Sequence, residues 1–173
     1  MNLKIFTASI LSVLATPVMA MTLGSDDIAA GAAISRAQIY PRCGGGNISP
    51  ELHWSGAPAG TKSFALTMID TSVAPAQWSH WIVVGLPPGT TALARGVKAL
   101  PAGAKQLQSN FGEARYDGPC PPKGTGIHRY EFTVWALPVA TTPLVPGTKA
   151  TDLSAELSTL ALDHASLAGF VAP

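Results

Sequence analysis

Residues 129–137 read RYEFTVWAL, and this stretch decides the fold class. One face carries Tyr130, Phe132, Val134 and Ala136, which alternate with Glu131, Thr133 and Trp135. A period of two with one apolar face predicts a strand of an antiparallel sheet that packs on at least one side.

Two other stretches have the composition of strands. They read SFALTMI (63–69) and HWIVVGL (80–86), and both are bounded by turn residues. Between the second of them and residue 129, residues 95–127 have no regular period and many glycines. We interpret them as a long loop region, which in a compact domain usually carries function.

A single helix is predicted near the C-terminus. Its face would carry Leu153, Leu157, Leu160, His164 and Leu167, spaced four, three, four and three apart. Strands and helices do not alternate, so a doubly wound parallel sheet is not expected. The chain has 173 residues, of which 47% are hydrophobic, and we predict one β-rich α+β domain over residues 21–173.

Residues 1–20 are interpreted as a signal peptide. Lys4 precedes an apolar stretch that Pro17 breaks, and Ala20 offers a cleavage position. The alternative is a buried N-terminal helix, but no amphipathic period supports it. We therefore predict a periplasmic or secreted protein without an integral membrane segment after cleavage.

Charge and cysteine content limit the function further. Cleavage would remove one of the 11 basic residues and none of the 10 acidic ones. A net charge near zero argues against nucleic-acid binding, which needs a basic face. Export places Cys43 and Cys120 in an oxidising compartment, where a disulfide is expected over two free thiols.

The unusual polar residues lie in two segments, 70–81 and 118–130. His80 and His128 each start a predicted strand after a Pro/Gly-rich loop, and Asp70 ends one. Imidazole and the Tyr130 hydroxyl donate hydrogen bonds, and a glycine-rich backbone turns N–H groups inward, so the set suits an anion. Each residue also has a structural explanation: a strand end, a turn or the core.

Two other functions use the same residues. Asp70, His80 and His128 suit an acid–base hydrolase, although no GxSxG elbow is present. They also suit a two-histidine, one-carboxylate metal site, although no supporting spacing such as HExxH is found. We expect neither, and predict no metal and no cofactor.

These segments resemble the phosphatidylethanolamine-binding protein family, and especially its bacterial Raf-kinase-inhibitor-like branch. The resemblance covers nearly all of the chain after residue 20, and the run GPCPPKGTGIHRY (118–130) is its most specific part. The other matching stretches are CGGGNISPELHWSGAPAGTKSFALTMID (43–70), WSHWIVVGLPPG (78–89) and FGEARYD (111–117).

The resemblance implies a large antiparallel sheet packed with a smaller second sheet, and peripheral helices including a C-terminal one. It also implies a pocket for a phosphate, a carboxylate or a phospho head group. The pocket residues that carry over are Asp70, Pro75, His80, Pro121, Pro122, His128 and Tyr130.

The sequence departs from the family at one motif. The family's Asp-Pro-Asp-Ala-Pro is one residue longer here, as DTSVAP (70–75), and lacks the second acid. The pocket mouth should therefore be less repulsive to anions. The resemblance also implies that a Cys43–Cys120 bridge joins the CGGGN and GPCPP loops beside the pocket.

We therefore predict an exported, non-enzymatic binding or regulatory protein. Its expected partner is a small anionic ligand or phospho head group, with a protein partner also possible. The hydrolase is one alternative, and inhibition of a protease or kinase-type partner is another.

Overall fold

The computed structural model describes residues 19–142, 144 and 147–173, so most of the predicted signal peptide lies outside the described residues. In chain order the strands are β1 (Thr22–Gly24), β2 (Leu52–Ser55), β3 (Ser63–Asp70), β4 (Trp78–Leu86), β5 (Ala92–Leu93), β6 (Lys105–Gln106), β7 (His128–Leu137) and β8 (Asp163–Val171). A 3₁₀ helix (Pro41–Cys43) follows β1, and helix α1 (Ala150–Leu160) follows β7.

The strands form two antiparallel sheets, as the resemblance implies. The larger has the order β6-β4-β3-β7-β8, and the smaller has the order β1-β2-β5. Residues 95–127 contain only the two-residue strand β6 and are otherwise irregular. The three strands predicted from the sequence are therefore confirmed, and so is the long loop region.

The core occupies both faces of the larger sheet. On one face Phe64, Leu66 and Met68 of β3 belong to the cluster that includes Trp54 of the smaller sheet, and the Trp54 and Phe64 rings are 5.6 Å apart. On the other face, Leu153 of α1 packs in a second cluster with strand residues. Every residue of β3 is buried, which explains why SFALTMI is apolar without a clean alternation.

The predicted C-terminal helix is wrong in its second half. Helix α1 ends at Leu160, and residues 163–171 instead form β8, which pairs with β7 along nine residues. The spacing of His164 and Leu167 fits a helix, but alternate burial of Ala165, Leu167 and Gly169 shows the period of a strand. His164 is exposed and stacks on Trp135 with ring centroids 4.9 Å apart, rather than packing on a helix face.

Helices contribute little else to the described part of the chain, where α1 is the one α-helix. The resemblance implied several peripheral helices, and α1 covers a single face of the larger sheet. None of the described helices is long and apolar enough to cross a membrane.

Candidate functional site

Three neighbouring strands bring the predicted polar residues to one end of the larger sheet. Asp70, the last residue of β3, pairs with Trp78 of β4 and with Tyr130 of β7. Because the strands are antiparallel, β3 leaves the sheet where β4 and β7 enter it. The register therefore places Asp70, His80, His128 and Tyr130 together, although up to sixty positions separate them.

A β-bulge orients His80. Ile69 pairs with Ser79 and Met68 pairs with Trp81, which leaves His80 as the extra residue on β4. A bulge breaks the regular alternation and redirects a side chain. His80 is consequently buried, with 3% of its surface exposed, yet lines the cavity described below.

The loop that covers this end of the sheet is fixed at several points. Cys120 forms a disulfide with Cys43, with Cα atoms 5.6 Å apart, and Tyr40 donates a backbone hydrogen bond to Pro119 at 3.0 Å. A Cβ at Gly118 would lie 2.0 Å from the Gln38 carbonyl oxygen, so this close approach requires glycine. The loop is thus held against residues 38–43.

These elements enclose a cavity of about 280 Å³. Its lining residues are Asp70, Val73, Trp78, His80, Phe111, Cys120, Pro121, Pro122, His128 and Tyr130. Six of the seven predicted ligand-binding residues are among them. The cavity is mostly apolar, with a small polar group where Asp70 and the two histidines meet, which is typical of small-molecule sites.

Pro75 is the predicted residue that does not line the cavity. It is exposed on the loop between β3 and β4, and Val73 and Trp78 of that region line the cavity instead. The lengthened loop therefore presents an apolar valine at the mouth, beside Asp70. Sequence reasoning missed Val73, Trp78 and Phe111. The sequence feature that could have indicated them is an aromatic or apolar side chain within a segment of mostly polar residues.

Asp70 and His128 form a buried pair. The Nδ1 atom of His128 lies 2.6 Å from Oδ2 of Asp70, and the backbone N–H of Ser72 donates to Oδ1 at 2.9 Å. Both side chains are almost entirely enclosed. Asp70 therefore holds the His128 ring in place and has little freedom to act alone.

Thr125 contacts the second ring nitrogen of His128. Its hydroxyl donates to the Pro122 carbonyl at 2.7 Å and also lies 2.8 Å from Nε2 of His128. Both ring nitrogens of His128 are therefore occupied, Nδ1 by Asp70 and Nε2 by Thr125, and neither is left for a ligand.

His80 is electrically neutral at neutral pH. Burial lowers the pKa of its imidazole from 6.5 to about 4, although the Asp117 carbonyl and the Asp70 carboxyl act in the opposite direction. Nδ1 donates to the Asp117 carbonyl at 2.8 Å. Nε2 is then an unprotonated acceptor, and it is the ring nitrogen left for a ligand.

His80 should make the protein less stable in mild acid. Its pKa of about 4 in the folded chain, against 6.5 as the ordinary value, means that the unfolded chain binds more protons between these pH values. Stability is therefore full above pH 6.5 and falls by about 3 kcal/mol as the pH drops to 4.

Urea unfolding of the wild type and His80→Asn across this pH range would test that expectation. Asparagine keeps a donor for the Asp117 carbonyl but does not titrate. The difference in unfolding free energy between the two proteins should shrink by about 3 kcal/mol from pH 7 to pH 4. Parallel curves would show that His80 does not titrate as described.

Tyr130 completes the polar group. It is buried, and its pKa is raised by desolvation first and by the Asp70 carboxyl second, so the phenol keeps its proton. The Asp70 side chain and the Cys120 backbone are the groups that interact with its hydroxyl. Its ring meets the His80 ring edge to face at 5.1 Å. Tyr130 thus connects the pair to His80.

A metal-ligand set is found elsewhere in the described part of the chain. Asp26, Glu51 and His53 bring three possible ligand atoms within 4.8 Å of one another near the smaller sheet. His53 of β2 is exposed there. In the cavity, Asp70 and Nδ1 of His128 are in direct contact with each other.

Comparison with known proteins identifies the family. The model of the phosphatidylethanolamine-binding protein family matches residues 24–172. The UPF0098 protein YbcL of Escherichia coli is 41% identical over 133 residues, covering 72% of this chain and 73% of that protein. A putative lipoprotein LppC of Mycobacterium tuberculosis is 38% identical over 149 residues, covering 86% and 71%.

Solved structures agree with the sequence matches. The crystal structure of Escherichia coli YbcL, described as a member of the mammalian PEBP family, has a TM-score of 0.82 at 33% identity and covers 90% of this chain and 99% of that one. A putative PEBP homolog from Chlamydia trachomatis has a TM-score of 0.73 at 32% identity, covering 89% and 98%. With its fold, its family-model match and these bacterial relatives, the chain belongs to the phosphatidylethanolamine-binding protein family.

Proposed function

We propose that the chain is an exported, non-enzymatic binding protein whose cavity holds a small anionic group: a phosphate, a carboxylate or a phospho head group. One observation carries the proposal. His80 is fixed by Nδ1 on a backbone carbonyl and has its other ring nitrogen free, beside the hydrogen-bonded Asp70–His128 pair in the same cavity.

The contacts of Asp70 explain how an anion is accommodated. One carboxylate oxygen accepts from the Ser72 N–H and the other contacts Nδ1 of His128, which weakens the repulsion between Asp70 and a ligand anion. Neutral His80 offers only a lone pair at Nε2, so an anion must bring a proton or make His80 take one up. In the first case Nε2 of His80 accepts the ligand's hydrogen, in the second it donates its own, and in both cases binding is coupled to one proton.

Sulfate binding should therefore strengthen as the pH falls. Sulfate keeps its own charge between about pH 7 and pH 5, so the proton must go to the protein. We expect the association constant to rise by up to tenfold for each pH unit. Calorimetric titration at several pH values measures it, and His80→Asn should bind weakly with no such rise.

Two results would contradict the proposal. Sulfate affinity that is independent of pH in the wild type would remove His80 from the binding mechanism. Binding that is unchanged in His80→Asn would place the anion outside this cavity.

Export is supported by two observations. The structure contains a disulfide between Cys43 and Cys120, and such bonds persist in oxidising compartments. One relative carries the name putative lipoprotein. Together with the signal-peptide character of residues 1–20, these support a periplasmic or secreted location.

An enzyme is the second candidate, because Asp70, His128 and Thr125 lie in the order of a catalytic triad. Nδ1 of His128 contacts Asp70 and Nε2 contacts the Thr125 hydroxyl. In a triad the hydroxyl gives its proton to the histidine, but here the Thr125 hydroxyl donates to the Pro122 carbonyl. We therefore favour binding without turnover.

A protein partner would find an apolar surface at the cavity mouth. Trp78 and Phe111 line the cavity and are 39% and 36% exposed, and their rings meet edge to face at 6.0 Å. Ile127, next to His128, is also exposed. Inhibition of a protease or kinase-type partner would use this rim, and the anion cavity would then recognise a charged group on the partner.

A further inference from the structure

A second cavity adjoins the candidate site. It has a volume of about 380 Å³ and shares four lining residues with the first: Phe111, Cys120, Pro121 and Pro122. Its remaining lining residues are Tyr40, Arg42, Cys43 and Lys123. We call it the cystine groove, because the Cys43–Cys120 disulfide lies in its wall.

The cystine groove is positively charged. Arg42 and Lys123 are its charged side chains, and both are exposed. Neither takes part in the ion pairs found among the described residues, and no acidic side chain lines the groove. Asp70, the acidic residue that lines the adjoining cavity, contacts His128. A second negative group beside a bound anion would thus meet two cations without partners.

The residues that line both cavities are held rigidly. Two of them are prolines and a third, Cys120, forms the disulfide, and the Phe111 ring lies 5.6 Å from Tyr40 of the groove and 5.0 Å from His80 of the cavity. Because these shared residues cannot move freely, the distance from the anion site beside His80 to Arg42 and Lys123 is fixed. It would favour ligands in which two charged groups are separated by one particular length.

We propose that the ligand is a small dianionic molecule that spans both cavities. One anionic end occupies the cavity beside His80, and the second lies in the cystine groove against Arg42 and Lys123. This inference rests on the proposed function of the first cavity and specifies its ligand class. The volume of the first cavity supports the same inference, because that cavity alone is smaller than most small-molecule sites.

Linear dicarboxylates of increasing length, each compared with the monocarboxylate of equal carbon number, provide the test. Binding at neutral pH is followed by NMR through the His80 ring signals. At one length the dicarboxylate should bind about tenfold more tightly, because its second carboxylate gains two exposed charge contacts. Added salt should reduce this advantage.

Two double variants locate the effect. Arg42→Gln with Lys123→Gln should abolish the dicarboxylate advantage and leave monocarboxylate binding unchanged. Lys62→Gln with Lys98→Gln removes the same charge from exposed positions that line neither cavity, and should keep the advantage.

The outcomes separate this inference from the proposed function. If the dicarboxylate and the monocarboxylate bind equally at every length, the proposal of a dianionic ligand is wrong, but the proposal of an anion cavity is not contradicted. If the advantage survives in the Arg42/Lys123 variant, the cystine groove is not its source. If no probe shifts the His80 signals, both proposals fail.

Discussion

Reducing the Cys43–Cys120 disulfide is expected to lower the free energy of unfolding by about 4 kcal/mol. The bond joins residues 77 positions apart, so the unfolded chain gains much conformational freedom when it opens. The same bond holds the Gly118–Pro122 loop over the cavity. Reduction should therefore weaken sulfate binding as well as stability.

Denaturant unfolding of the oxidised protein, the reduced protein and the Cys43→Ala/Cys120→Ala variant measures this effect. The last two should agree, because both lack the cross-link and differ only in the thiols. Unfolding midpoints that coincide in all three proteins would show that the bridge does not stabilise the fold.

Replacing Asp70 by alanine is expected to cost 3–5 kcal/mol, on the order found when one partner of a buried pair is removed. The His128 ring would lose its partner at 2.6 Å at a position where both side chains are almost entirely buried. Asp70→Asn should cost far less, about 1 kcal/mol. Its amide can donate to Nδ1, and its oxygen can accept from Ser72.

The comparison between the two variants tests the hydrogen-bond assignment as well as the contact. If the hydrogen bond between Asp70 and His128 matters more than a charge on Asp70, the neutral amide should replace the carboxylate at little cost. Unfolding free energies measured by urea titration should fall in the order wild type, Asp70→Asn, Asp70→Ala. Equal loss in both variants would mean that the pair needs a charge on Asp70.

The strands could be predicted because the alternation of apolar and polar residues and the β-branched composition are visible in a single sequence. RYEFTVWAL keeps its period in β7, where Tyr130 and Phe132 face the smaller sheet. The end of α1 was not predictable in the same way, because Leu160, His164 and Leu167 satisfy a helical spacing by coincidence. Pairing of β8 with β7 decides the outcome, and that is a long-range interaction.

The same distinction between local pattern and long-range contact applies to the residues of the site. Asp70, His80 and His128 stand at strand ends next to proline-rich loops, which local sequence shows, and the family resemblance selects them. Their convergence depends on strand register, and the direction of His80 depends on a bulge between Ser79 and Trp81. Neither the strand register nor the bulge produces a recognisable pattern in the local sequence. Phe111 was missed for this reason, since its place between the two cavities follows from the folding of a long loop.

The central claim is that Asp70, His80, His128 and Tyr130 form one cavity that receives an anion. A crystal structure of the protein grown with sulfate at about pH 5 tests it most directly. Tetrahedral density within hydrogen-bond distance of Nε2 of His80, with the Asp70–His128 contact kept, is the result predicted here. A cavity without sulfate while the ion occupies other surface sites, or a His80 ring turned away from the cavity, would contradict the claim.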